Sequence, residues 1–232
     1  KLPDTQERVK QTLPEPQKVY SLISVGKYRV WKKMLTVINT APVTLDPNTA
    51  APPLFLSEDL STVRHTRNQQ LILDNHERFD YLVFVLGSEG FISGKHSWEV
   101  EVGNKTHWNV GVAEESINRK GDVYLNPGNG YWTVILRDGN ECWAGEEPWK
   151  QLELRVNLRK IRICLDYEGG KVSFYNLENK IHTYTFTATF TEKIYPYFSP
   201  GLTDGGKNTE PLKICPQRIT IQEDDGFIPS SK

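Results

Sequence analysis

From Pro42 onward the chain is a succession of short alternating runs separated by turn signals, a grammar that leaves little besides antiparallel β-structure. In Trp98-Glu-Val-Glu-Val102 the apolar Trp98, Val100 and Val102 fall on one strand face, with Glu99 and Glu101 on the other. Trp108-Asn-Val-Gly-Val112 repeats the pattern. Tyr131-Trp-Thr-Val-Ile-Leu136 runs into Arg137-Asp138-Gly139-Asn140, and Asp-Gly is a strong hairpin signal. Ile161-Arg-Ile-Cys-Leu-Asp166 and Lys171-Val-Ser-Phe-Tyr175 flank Glu168-Gly169-Gly170, a second hairpin. Ile194-Tyr-Pro-Tyr-Phe198 and Leu212-Lys-Ile-Cys215 supply later strands. With no long helical pattern among them, these runs predict an all-β antiparallel sandwich.

The 232 residues suffice for one large domain with a short appendage. Folding at this size buries about 70% of the chain's surface, so a core needs neither disulfides nor metals. Three cysteines (Cys142, Cys164, Cys215) are an odd count without a Cys-x-x-Cys, which argues against a disulfide scaffold and for a reducing, cytoplasmic or nuclear, compartment. No apolar run approaches the ~20 residues that cross a bilayer. The start, Lys1-Leu2-Pro3-Asp4, lacks an initiator Met and a signal-peptide pattern and reads as the edge of a piece of something longer.

Charge divides unevenly. Residues 1–40 hold eight Lys or Arg against three Asp or Glu, whereas the remaining 192 residues hold 20 against 26. A mildly acidic main domain argues against nucleic acid, whose phosphates require a basic face. Residues 1–17 read as a linker and 18–39 as one or two short helices. There Tyr28, Trp31, Leu35 and Ile38 form an apolar stripe, and the basic residues take the solvated face.

Catalytic signatures fail their context. Gly201-Leu-Thr-Asp-Gly-Gly206-Lys207 resembles a phosphate-binding loop, but Asn208 stands where Ser or Thr should hold magnesium, and a β-like run follows where a helix is required. The five histidines show no metal-ligand spacing, so neither a metal nor a cofactor is expected. Glu99 and Glu101 share a strand face, as an acid and nucleophile do in some glycosidases, but alternating Glu is also the ordinary solvent face of a strand.

Three motifs, Leu45-Asp46-Pro47, Trp98-Glu99-Val100-Glu101 and Leu165-Asp166-Tyr167-Glu168, stand in the order and spacing of a PRY–SPRY domain, which residues 42–217 resemble. Arg78-Phe-Asp, Ser93-Gly-Lys-His-Ser-Trp98 and Tyr197-Phe-Ser-Pro-Gly201 extend the likeness. Tyr28-Arg-Val-Trp-Lys-Lys-Met34 resembles the linker of tripartite-motif proteins similar to nuclear factor 7. The implied layout is a linker over 1–41, PRY and the start of SPRY over 42–95, SPRY over 96–217 and a tail over 218–232. The implied fold is a bent antiparallel β-sandwich after a short helical linker, with Trp98, Trp108, Trp132, Leu165 and Phe174 in its core.

The resemblance implies protein recognition without catalysis by this piece, whose loops capture a target for the ubiquitin ligase activity of a RING elsewhere in the full-length protein. By motif position, Glu115, Ile135, Arg137 and Leu202 match partner contacts in antibody-binding relatives. Asn118, Asp138, Asn140, Thr203 and Asp204 fall on the same rim, and Glu115 and Arg137 are expected to pair as a polar selector. Butyrophilin relatives bind phosphorylated ligands with a basic pocket, for which too few Lys and Arg converge here. Two alternatives stand beside this reading. One is a carbohydrate-binding sandwich with Trp143 and Trp149 as its aromatic platform. The other is a structural role, with the linker stripe docking on this domain or on a second copy.

Overall fold

The computed structural model describes residues 43–154 and 156–216. The expected linker helix with its Tyr28, Trp31, Leu35 and Ile38 stripe and the expected tail over 218–232 lie outside the described residues. Among the described residues thirteen strands carry the fold: β1 (Leu54–Leu56), β2 (Thr62–His65), β3 (Val85–Leu86), β4 (Lys95–Glu101), β5 (Trp108–Glu114), β6 (Tyr131–Arg137), β7 (Glu141–Ala144), β8 (Lys150–Leu152), β9 (Lys160–Asp166), β10 (Lys171–Asn176), β11 (Ile181–Thr187), β12 (Ile194–Ser199) and β13 (Leu212–Ile214). Every pairing between them is antiparallel. They form a seven-stranded sheet in the order β1-β2-β13-β4-β9-β10-β11 and a six-stranded sheet in the order β3-β12-β5-β6-β7-β8. Helical structure among the described residues is limited to 3-10 turns at Pro127–Asn129 and Asp204–Gly206.

In the larger sheet the alternation expected from sequence holds. Trp98 and Val100 of β4, Ile161, Ile163 and Leu165 of β9, and Val172 and Phe174 of β10 all point into the core. Trp108 and Trp132 join them from the smaller sheet. On the outer face of β4, burial alone would raise the Glu99 carboxyl, but hydrogen bonds from Lys160 and Arg162 outweigh it and hold the group below its usual range. The ion pairs measure 2.7 Å to Lys160 and 2.6 Å to Arg162. Glu99 is thus the acid of a three-residue cross-strand charge cluster, not an acid poised over a cleft.

Motif residues do structural work at turns. Asp46 Oδ1 accepts from the Asn48 backbone N–H at 2.9 Å, shaping the turn after Leu45. Arg78, 7% exposed, donates through Nη1 to the carbonyls of Pro47 (3.0 Å) and Ala50 (2.6 Å). Asp166 Oδ1 accepts from Gly169 N–H at 2.9 Å and so closes the β9–β10 hairpin.

The smaller sheet departs from the expected alternation, because six of the seven positions in each of β5 and β6 are buried. Its second face is roofed by a smaller apolar layer. Phe84 packs edge-on against Tyr197 (4.9 Å) and tilted against Tyr131 (6.4 Å), while Phe79 backs Phe84 at 5.5 Å. A Cβ at Gly145 would stand 2.7 Å from the Leu125 carbonyl oxygen and 3.5 Å from Ile135 Cδ1, so the chain after β7 sits directly on this layer.

Candidate functional site

A cavity of about 780 Å³ opens on the outer face of the smaller sheet. Register places Asn109 of β5 beside Ile135 of β6 and Ser199 of β12 beside Asn109, and period two then puts Arg137 on that same face. Asn109, Arg137 and Ser199 line the cavity. Its walls are Leu82 to Phe84 before β3, Asp122 to Leu125 between β5 and β6, Trp149 before β8, and Leu202 to Asp204 after β12.

Arg137 is fixed by its own strand neighbours. Its Nη1 donates to Asn109 Oδ1 at 2.7 Å, the Leu136 carbonyl at 2.8 Å and the Trp108 carbonyl at 3.4 Å. Burial pushes the guanidinium's pKa below its ordinary value, partly opposed by Tyr197 and Asp138. Its carbon centre lies 5.7 Å from the Trp149 ring centroid. Trp149 is held in turn by an Nε1 hydrogen bond to the Leu125 carbonyl (3.0 Å) and by stacking on Tyr124 (5.6 Å).

The rim is clasped by one residue that the sequence offers only as a failed phosphate loop. Asn208, 1% exposed, donates through Nδ2 to the carbonyls of His107 (2.9 Å), Pro200 (3.0 Å) and Leu202 (2.8 Å). Its Oδ1 accepts from the Thr106 N–H at 3.0 Å. Beside it Lys105 Nζ donates to the carbonyls of Asn208 (3.2 Å) and Glu210 (2.7 Å). Burial pushes this ammonium down to about 8 against the pull of Glu210. Gly201, at φ +66°, passes so close to His107 that a Cβ would meet its carbonyl oxygen at 2.6 Å. The glycines and Asn208 of this segment therefore make a tight loop crossing rather than a phosphate cradle.

The sequence-derived site residues divide. Arg137, Leu202, Thr203 and Asp204 line the one cavity. Asp138 borders it, with Oδ1 3.4 Å from His107 Nε2, and Asp204 Oδ2 lies 3.9 Å from His107 Nδ1. Both aspartates have positive φ, 49° and 46°, which Asp tolerates better than most residues. Asn140 is exposed in the β6–β7 turn and does not line the cavity.

Four expectations meet a different arrangement in the structure. Ile135 is 0% exposed, because Leu125 and the chain at Gly145 cover its face of β6. Glu115 and Asn118 line a different concavity, of about 590 Å³, with His76, Arg119 and Lys120. Glu115 and Arg137 form no pair. Trp108 opposes Leu136 and Ala113 opposes Tyr131, so Glu115 lies past the far end of β5, some eight residues or about 26 Å along the strands from Arg137. There Glu115 Oε1 accepts from the Tyr195 hydroxyl at 3.1 Å and lies 3.6 Å from Lys193 Nζ. Nor do Trp143 and Trp149 form an exposed platform, since both pack against the core. Sequence reasoning missed His65, His107 and Asn109 as cavity residues; the register of β5 with β6 and β12 is the signal that places Asn109.

Among the described residues no cluster of three His, Cys, Asp or Glu could hold a metal ion, and no helix is long and apolar enough to cross a membrane.

Comparison with known proteins gives the arrangement its context. Residues 95–213 match the SPRY domain, and residues 43–91 match the SPRY-associated domain, PRY. Nuclear factor 7 (ovary) of Xenopus laevis is 53% identical over 190 residues, which cover 81% of this chain and 31% of that protein. The E3 ubiquitin-protein ligase TRIM69 of Mus musculus is 44% identical over 222 residues, 92% of this chain and 44% of that one. The chain thus spans less than half the length of either relative. The crystal structure of the TRIM65 PSpry domain superposes with a TM-score of 0.66 at 24% identity, covering 81% of this chain and 95% of that one, a likeness of fold. SPRY domains are protein-interaction modules, and the cavity lies among loops that a rigid sandwich holds in place. By sequence motifs, strand topology and family match over more than half its length, the chain belongs to the PRY–SPRY family.

Proposed function

We propose that this domain recruits a target protein through the Arg137 cavity, as the C-terminal recognition part of a RING-type tripartite-motif ubiquitin ligase working in the cytoplasm. The observation that carries this reading is the way the cavity is built. A floor fixed by the Arg137–Asn109 hydrogen bond is edged by loops clasped through Asn208, while Leu202 on the rim remains 61% exposed. A mouth of this kind offers a partner apolar contact without the cost of ordering its own loops. Catalysis in the full-length protein would come from raising the target's effective concentration beside the RING.

The test compares wild type, Leu202→Asp and Glu115→Ala, with a photo-crosslinking amino acid placed at Thr203, in cell lysate. A protein crosslinked by wild type and by Glu115→Ala, but lost with Leu202→Asp, supports the reading. Equal capture by all three moves the partner surface away from the cavity. Release by free sugar favours a carbohydrate ligand instead.

A further inference from the structure

Among the described residues the cation on the cavity floor has no counter-ion. All three hydrogen bonds of Arg137 leave from Nη1 and end on neutral oxygens, those of Asn109, Leu136 and Trp108. Among the described residues no carboxylate lies within ion-pair distance of it, and neither Nε nor Nη2 makes a hydrogen bond. Asp138 and Asp204, the nearby acids, flank His107 instead. A half-buried charge without a counter-ion is costly, and the guanidinium edge is a planar fork that fits a carboxylate with two parallel hydrogen bonds. His65 also lines the cavity, and its buried Nδ1 has no hydrogen-bond partner among the described residues.

Around these polar points the walls are apolar, with Leu82, Phe84, Leu125, Trp149 and Leu202 prominent. We propose that the cavity takes a peptide segment in which an apolar side chain stands beside a carboxylate. The carboxylate pairs with the Nε–Nη2 edge of Arg137, and the apolar side chain lies against Trp149 and Leu202. This rests on the reading of the cavity as the partner-binding surface and specifies the chemistry of the partner. One arginine, with Asp122 and Asp204 on the same walls, suits a single negative charge better than a doubly charged phosphate. The carboxylate has two possible sources, an Asp or Glu side chain or the end of a chain.

Four short peptides separate them: Ac-Gly-Leu-Phe with a free C-terminus, its C-terminal amide, Ac-Gly-Phe-Asp-Gly-amide, and the same peptide with Asn for Asp. Each is titrated into the domain while the Arg137 Nε–Hε and Trp149 Nε1–Hε1 NMR signals are followed. The expected result is that at least one acid moves both signals and binds about tenfold tighter than its amide partner. Which acid does so identifies the source. Arg137→Gln should erase the preference and Arg137→Lys should retain part of it, with the melting temperature of each variant checked. Equal binding of acids and amides, lost in Leu202→Asp, overturns the carboxylate but keeps the cavity as the binding surface. Acid binding that persists in Leu202→Asp and leaves the Arg137 signal unmoved overturns both. Failure of all four peptides to bind at millimolar concentration overturns the proposal.

Discussion

Asn208 holds Leu202 in place: its side-chain amide nitrogen donates to the Leu202 carbonyl oxygen at 2.8 Å, from a position almost sealed from solvent. The same nitrogen reaches His107 and Pro200, so one amide ties the β12–β13 loop to the start of β5. Asn208→Ala leaves those carbonyls and the Thr106 N–H without partners. A loss of about 2–4 kcal/mol in unfolding free energy is expected. Hydrogen exchange at Thr106 and Thr203 should rise well beyond the change at Val172 in the core. A uniform rise across the domain would instead mean simple global destabilisation.

Lys105 makes stability depend on pH in a direction opposite to most surface lysines. Its folded pKa, about 8, lies below the value above 10 of the unfolded chain. Between those values the unfolded state binds more protons, so unfolding free energy increases with pH. Urea titrations should show a gain of about 1–2 kcal/mol from pH 7.5 to 9.5, and Lys105→Met should flatten it. A wild type whose stability is level or falling over that range contradicts the assignment.

Ile135 and Leu202 test which side chains are core and which are surface. Ile135→Ala removes a fully buried side chain under Leu125 and is expected to cost about 3 kcal/mol. In a domain of this size that is about 6–12 °C in melting temperature. Leu202→Ala, at 61% exposure, should stay within about 0.5 kcal/mol of wild type. Calorimetry on the pair decides the matter, and comparable losses would return Ile135 to the surface.

Glu99 links stability to acid. Its folded pKa is depressed, so its contribution is present above the usual carboxylate range and disappears as pH falls through the folded value. Glu99→Gln should cost about 1–2 kcal/mol at pH 7 by leaving Lys160 and Arg162 unneutralised. The gap between variant and wild type should close as pH falls through the folded value. A gap that is constant with pH would mean that packing, not charge, sets the effect.

How far these features could be read from the chain depended on how local their causes are. Alternation reports a strand's faces directly, so Trp98, Trp108, Trp132, Leu165 and Phe174 were legible as core. Alternation also marked the faces of β6, but not that Phe84 and Leu125, contributed by two separate loops earlier in the chain, would roof the second one and bury Ile135. Glu115 and Arg137 both sit at strand ends, and only the antiparallel register reveals that the ends are opposite ones. Asn208 was seen as a mismatch to one motif, because its true partners lie up to about a hundred residues away in sequence.

Each hydrogen bond that the Asn208 side chain makes to the rim ends on a backbone atom: the N–H groups of Thr106 and His107 and the carbonyls of His107, Pro200 and Leu202. Backbone atoms are common to all residue types. Exchanging Leu202 or Thr203 for another residue therefore changes what the mouth offers without touching what holds it open. The loop is a natural site for randomisation: a library varied at Leu202 and Thr203 should remain folded nearly throughout, and new specificities could be selected from it with no compensating change elsewhere.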